Sequence, residues 1–214
     1  EAQSVSFIPS QPTRGTGLAI DYTYYDADGD SEQGTQIRWK VNGNNVGSLD
    51  DQTSVSQNWL AKGDEWTCTV TVKDGIDQGD PVTIGPVTIN NTLPIARNLE
   101  LTPENPIDSD QLELDYDYFD LDGEPQQGTE IRWYLDGARI SELDNEDRVS
   151  PLMIRSGDQW EASVKPHDGD GFGEIVYTGV VVIGSSNSPP IATVYVSPVG
   201  NARTDDALVV NVGW

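Results

Sequence analysis

Carboxylates recur at alternate positions in two glycine-containing segments of the chain, residues 26–30 and residues 120–124. An Asp-Gly pair follows each segment, at 74–75 and at 168–169. Carboxylates at positions i, i+2 and i+4 of a turn can converge on one hard cation, and Ca²⁺ accepts about six to eight oxygen ligands in flexible geometry. The sequence therefore predicts two calcium sites, with the ligands Asp26, Asp28, Asp30 and Asp74 in one and Asp120, Asp122, Glu124 and Asp168 in the other.

Ordinary turns and acid–base catalysis are the other interpretations of these carboxylates. Asp-Gly pairs form turns without any ion, because the Asp side chain binds its own backbone and Gly adopts positive φ. Two carboxylates can also cleave a glycosidic bond, but a catalytic site has no need to occur in both segments. The chain has one His and one Cys, which excludes the usual zinc sets and any intrachain disulfide. We therefore predict that the protein is not an enzyme.

The composition is that of a folded and strongly acidic protein. Lys and Arg total 12 against 36 Asp and Glu, which gives the 214 residues a formal net charge of −24. Such a surface repels phosphates, which excludes a nucleic-acid partner. The hydrophobic fraction of 36% is enough for packed cores. The acidity is also consistent with adaptation to salt, which can coexist with any of the functions considered below.

An internal repeat organises the chain. Without gaps, residues 26–79 match residues 120–173 at 21 of 54 positions, at an offset of 94. Residues 191–214 resemble the start of a further copy. The repeat therefore predicts two complete domains, 1–94 and 95–190, and a partial third, 191–214, which supplies only its first two strands.

Within each copy, apolar and polar residues alternate as they do in half-buried β-strands. The first copy has seven such runs, at 4–8, 17–25, 35–42, 45–49, 53–60, 65–73 and 81–89. Seven short strands in about ninety residues, with a Trp on the third, predict an all-β chain of tandem immunoglobulin-like antiparallel sandwiches. This connectivity places the loop after the second strand and the loop after the sixth at one end of the sandwich. The acidic residues of each copy should therefore meet there.

Three segments of the first copy resemble a known group of domains. Residues 24–30, 37–43 and 72–75 are similar to the Ig-like, PKD-like and cadherin-like repeats of prokaryotic cell-surface and extracellular fibre proteins. The resemblance extends over both full copies. It implies an exported module of a stalk, an adhesin or a fibre, located outside the cell or on its surface.

These observations predict a non-enzymatic extracellular structural protein, in which calcium stiffens the tandem repeats of a fibre, filament or cell-surface stalk. The alternative is a carbohydrate- or protein-binding adhesin module attached to a larger secreted protein. A sugar-binding module would need planar aromatic rings on an outer face. The candidates for such rings are Tyr25, Phe119, Phe172 and Tyr177.

The junctions and the final segment predict how the units associate. Pro94 and Pro189-Pro190 restrict the backbone between copies, and the second calcium site should lie beside the linker, residues 90–96. Residues 191–214 need a cover, because two strands alone are marginal in water. The predicted partners are further repeats of a longer array or neighbouring copies of the same chain, end to end. Asn90-Asn91-Thr92 is an N-glycosylation sequon, so glycans are a further candidate, and no segment is expected to insert into a membrane.

Overall fold

The computed structural model describes residues 1–186, 193–197 and 209–213. The strands of repeat 1 are β1 (Ala2–Ile8), β2 (Leu18–Tyr24), β3 (Gln36–Val41), β4 (Asn44–Asn45), β5 (Ser54–Val55), β6 (Glu65–Thr71) and β7 (Val82–Thr88). Those of repeat 2 are β8 (Ile95–Thr102), β9 (Leu112–Phe119), β10 (Glu130–Leu135), β11 (Ala138–Arg139), β12 (Arg148–Val149), β13 (Gln159–Lys165), β14 (Val176–Tyr177) and β15 (Val181–Val182). Two further strands follow, β16 (Thr193–Ser197) and β17 (Val209–Gly213).

Each repeat is a sandwich of two antiparallel sheets. In repeat 1 the strand orders are β1-β2-β5 and β4-β3-β6-β7, and in repeat 2 the same positions are taken by β8-β9-β12 and β11-β10-β13-β14, with β15 also pairing β13. These orders confirm the predicted fold class, tandem immunoglobulin-like β-sandwiches. Strands β16 and β17 pair with each other as an antiparallel hairpin. The assignment of 191–214 to a third domain stays a prediction, and the rest of that segment lies outside the described residues.

The predicted strands 45–49 and 53–60 are the two that differ most from the structure. Each is reduced to a two-residue strand followed by a 3₁₀ turn, at Gly47–Leu49 and Gln57–Trp59. The turns are closed by backbone hydrogen bonds from Asp50 to Gly47 and from Leu60 to Gln57, both 3.3 Å long. The difference has a physical reason, since the Gly, Asn and Ser residues in these runs favour turns over strands. Within the described ranges, no helix is long and apolar enough to cross a bilayer.

Each sandwich has its own hydrophobic core built around a pair of tryptophans. Trp39 and Trp66 meet edge to face with ring centroids 6.1 Å apart, and Trp133 and Trp160 do so at 6.2 Å. All four rings are buried, together with the free thiol of Cys68. Burial raises the pKa of that thiol to about 12, so it packs as a small apolar group. The acidic loops follow β2 and β6 in repeat 1 and β9 and β13 in repeat 2.

The two tryptophans of a core differ in one hydrogen bond, which generates the first prediction. The indole Nε1 of Trp133 donates to the carbonyl of Glu146 at 2.9 Å, whereas the Nε1 of Trp160 is buried without a partner. Trp133→Phe should therefore lower the free energy of unfolding by about 1–3 kcal/mol more than Trp160→Phe. Urea unfolding of both variants measures the difference. Equal losses would mean that the hydrogen bond contributes nothing to stability.

Candidate metal centre at the junction between the repeats

Two loops of repeat 2 carry the predicted ligands, and the sandwich brings these loops together. Asp120, Asp122 and Glu124 lie between β9 and β10, and Asp168 lies after β13. A parallel bridge pairs Gln127 of the first loop with Asp168 of the second. The predicted meeting of the acidic residues at one end of the fold therefore occurs in repeat 2.

Asp120, Asp122 and Glu124 form a carboxylate triad. One oxygen from each lies within 4.8 Å of the other two, and no other group of three His, Cys, Asp or Glu side chains in the described chain converges in this way. The backbone N–H of Glu124 donates to Asp120 Oδ1 at 3.1 Å, which closes the turn. Three oxygens of the triad, Asp120 Oδ2, Asp122 Oδ1 and Glu124 Oε2, are buried and accept no hydrogen bond. Buried carboxylate oxygens without a partner are costly, so the triad suits a bound cation.

Asp168 adds a fixed negative charge beside the triad. Its side chain is 6% exposed, Oδ1 accepts hydrogen bonds from the N–H groups of Asp170 and Gly171, and Oδ2 accepts one from Asn91 Nδ2 at 2.8 Å. Burial opposes its ionisation, but these three hydrogen bonds outweigh burial and hold the pKa of Asp168 below its usual value. Both carboxylate oxygens of Asp168 already accept hydrogen bonds. Asp168 therefore contributes negative charge to the site and does not offer an oxygen without a hydrogen-bond partner as a ligand.

The hydroxyl group of Tyr118 lies close to these carboxylates. The hydroxyl of Tyr118, on β9, is buried and has no hydrogen-bond partner. Burial and then the charges of Asp120, Asp168 and Glu124 raise the pKa of Tyr118 to about 12. The phenol therefore stays neutral and adds no charge to the site.

The linker contacts both acidic loops, as the sequence predicts. The backbone N–H of Thr92 donates to Asp122 Oδ2 at 2.7 Å, and the Asn91 side chain donates to Asp168. The amide oxygen of Asn91 is buried and has no donor, so it is available as one more oxygen ligand. The junction between the repeats is therefore part of the candidate metal centre.

Repeat 1 contributes two basic side chains that the sequence reasoning missed. Lys62 Nζ lies 2.5 Å from Glu124 Oε1 and 2.5 Å from Asp170 Oδ2. Arg14 Nη1 donates to the carbonyl of Leu121 at 2.6 Å. Hydrogen bonds to Asp170 and then to Glu124 raise the pKa of Lys62 above its usual value, so it stays charged.

Neither residue has a basic counterpart in repeat 2. At the offset of 94, Lys62 corresponds to Ser156 and Arg14 corresponds to Asp108. Lys40 has no basic counterpart either, since Tyr134 stands at the corresponding position. A difference between the copies therefore does not by itself identify the basic residues that contact the other repeat.

The corresponding acidic residues of repeat 1 are arranged differently. Asp26 Oδ1 accepts hydrogen bonds from the backbone N–H groups of residues 28, 29 and 30, and Asp74 Oδ1 accepts them from residues 76 and 77. The side chains of Asp28 and Asp30 are exposed. These contacts are those of ordinary turns. In repeat 1 the structure therefore does not bring three carboxylates together, and the calcium site there stays a prediction.

Comparisons with known proteins give likenesses of fold. The sequence matches no protein-family model and no curated protein. Among solved structures, a two-domain fibronectin type-III segment of chicken tenascin is 12% identical, with a TM-score of 0.40, over 85% of this chain and 98% of that one. The fibronectin(III)-like modules of Clostridium thermocellum CbhA are 11% identical, with a TM-score of 0.28, over 85% and 94%.

A 1.5-MDa bacterial ice-binding adhesin gives another likeness. The solved part is 13% identical to this chain, with a TM-score of 0.30, and the match covers 96% of this chain and 69% of that one. TM-scores this low mean that the chains do not superpose as wholes. The immunoglobulin-like assignment therefore rests on the strand order described above.

Two glycines allow the linker to approach the second acidic loop. A Cβ at Gly173 would lie 1.8 Å from the carbonyl oxygen of Pro94, and a Cβ at Gly171 would lie 2.4 Å from Leu93 Cδ2. The clash at Gly173 involves backbone, which cannot turn aside as a side chain can. A side chain at this position would push the linker away from repeat 2.

Gly173→Ala should therefore destabilise repeat 2 and its junction, by about 1–3 kcal/mol. The repeat supplies a matched control, because Gly79 holds the same position in repeat 1, where a Cβ would meet Val72 at 3.1 Å and Glu1 at 3.5 Å. Gly79→Ala should cost clearly less. Thermal melts of the two variants test this, and equal melting temperatures would show that the linker does not need the close approach.

Proposed function

We propose that this chain is a non-enzymatic, extracellular structural module in which a calcium ion at the carboxylate triad locks repeat 2 to the linker. The observation that carries the proposal is the set of three buried triad oxygens without hydrogen-bond partners, located where the linker enters the domain. Carboxylate oxygens are hard ligands of the kind that Ca²⁺ prefers, and its coordination geometry is flexible. An ion there would tie together the β9–β10 loop and, through Asp122, the linker.

Charge supports a divalent cation at this position. Lys62 is the basic side chain that pairs with carboxylates at the junction, and its partners are Glu124 and Asp170. Five carboxylates lie at the junction: Asp120, Asp122, Glu124, Asp168 and Asp170. Like charges held this close repel, and the repulsion is largest where water is excluded. A bound cation reverses this balance and favours the docked arrangement of linker and loops.

The adhesin alternative has one observation in its favour. The rings of Tyr134 and Tyr177 lie 6.0 Å apart on repeat 2, and Tyr177 is 52% exposed. The planes are tilted by 42°, so they do not form the flat platform on which a sugar ring stacks. Arg97 covers the ring of Phe119, and Lys165 covers that of Phe172. These rings of repeat 2 therefore do not favour a sugar-binding role, whereas Tyr25 of repeat 1 is 50% exposed and stays a candidate.

Calcium should raise the melting temperature of the protein, and the repeat supplies matched variants. Asp120→Asn with Glu124→Gln removes the triad, and Asp26→Asn with Asp30→Asn changes the equivalent residues of repeat 1. A hundredfold excess of calcium over Kd adds about 2.7 kcal/mol to a folded state that alone binds the ion. For a domain of this size that corresponds to a shift of roughly 10–20 °C. Calorimetry with EGTA or calcium, at constant ionic strength, measures it.

The calcium shifts of the two variants show which repeat binds the ion. They also distinguish a specific calcium site from general screening of the acidic surface. The triad variant should lose the calcium shift of repeat 2, and the repeat 1 variant should keep it. If NaCl at equal ionic strength stabilises the wild type as much as calcium does, general screening replaces the site. Solution scattering on the same proteins tests stiffening, because calcium should narrow the distribution of overall sizes in the wild type and not in the triad variant.

We also propose that such modules associate end to end, within a longer array or between chains. The hairpin β16–β17 supports this, because two paired strands alone are marginal in water and leave open edges. Limited proteolysis of residues 1–214 should remove 191–214 first and leave a resistant two-repeat core. First cuts inside the sandwiches would contradict this.

A concentration series separates the two forms of end-to-end association. If strands complement a neighbouring chain, 1–214 should grow in size with concentration while the shortened chain 1–190 stays monomeric. If both stay monomeric, the partner is a further repeat of a longer array.

A further inference from the structure

Lys62 of repeat 1 occupies an unusual position for a lysine on an acidic protein. It lies before β6, its side chain is 28% exposed, and its ammonium group contacts Glu124 and Asp170 of repeat 2. The two carboxylates come from the two acidic loops, one from each. Lys62 thus makes a contact between repeats that joins both loops at once.

Glu124 is shared between Lys62 and the triad. Its Oε1 pairs with Lys62, whereas its Oε2 is buried, accepts no hydrogen bond and belongs to the triad. The two oxygens of one carboxylate therefore face two different places where positive charge is favoured. One of these places is already filled, by the ammonium group of Lys62.

We propose that the junction is a two-cation centre, in which the triad takes a divalent metal ion and the Lys62 ammonium permanently fills a second cation position between Glu124 and Asp170. The first position rests on the proposed function; the second rests on the ion pairs of Lys62. An ammonium group has three donors and can satisfy two carboxylates as a small cation does. Because of Lys62, the junction needs one metal ion fewer.

The ion pairs of Lys62 also imply that the two repeats dock before any metal ion binds. Lys62 is attached to repeat 1 and its partners belong to repeat 2, so the pairing holds the domains together at all calcium concentrations. Arg14 adds to this through the carbonyl of Leu121. The metal then completes and rigidifies a junction that is already formed.

The number of bound ions tests the second cation position. Native mass spectrometry at saturating calcium compares the wild type with Lys62→Met, which shortens the side chain by one atom and removes its charge. Lys62→Met should bind one calcium ion more than the wild type, because Glu124 and Asp170 become free. Lys62→Arg should keep the wild-type number, and so should Lys40→Met, which makes the same charge change at an exposed position on β3.

The results that overturn the proposal differ from those that overturn the proposed function. If Lys62→Met binds the same number of ions as the wild type, with unchanged or higher affinity, the two-cation centre is wrong. If the wild type and the triad variant bind equal numbers of ions, the calcium function itself is wrong. Scattering in EGTA then still tests docking, since Lys62→Met should bend more freely than Lys40→Met; equal flexibility would overturn that part.

Discussion

Repulsion between carboxylates at the junction is the constraint on which the rest of this structure depends. Asp120, Asp122 and Glu124 converge with buried oxygens that accept no hydrogen bond, and Asp168 lies beside them almost fully buried. Such an arrangement is stable only if positive charge or hydrogen-bond donors balance it. The linker and Lys62 supply part of this balance, and the proposed cation would supply the rest.

The sandwich fold supplies the rigidity that this requirement needs. Long antiparallel pairings, β9 with β8 and β13 with β10, fix the strand ends from which the acidic loops start. Each core is closed by an edge-to-face pair of tryptophans, so the loops are carried by a packed frame. A flexible frame would let the carboxylates separate and release their repulsion. Rigidity thus keeps the carboxylates of an acidic sequence motif close together.

The two repeats show that one motif can have two structural outcomes. In repeat 1, Asp26 and Asp74 use their oxygens to accept hydrogen bonds from the turns that hold them. In repeat 2, the linker and Lys62 of the preceding repeat contact the acidic loops. Three carboxylate oxygens there are buried without hydrogen-bond donors. The difference comes from the neighbouring domain. The convergence of the carboxylates therefore belongs to the junction and not to either repeat alone.

The sequence by itself determined the architecture of the two repeats, because period-two alternation and an internal offset of 94 are local and repetitive signals. It also identified the triad, since spacing within one loop is written in the chain. The tertiary structure decided which of the two acidic sets converges. It also decided that Lys62 contacts Glu124 and that Asn91 contacts Asp168, since these contacts form only through packing at the junction. Contacts between residues distant in the chain depend on how two folded surfaces meet, and no local pattern encodes that.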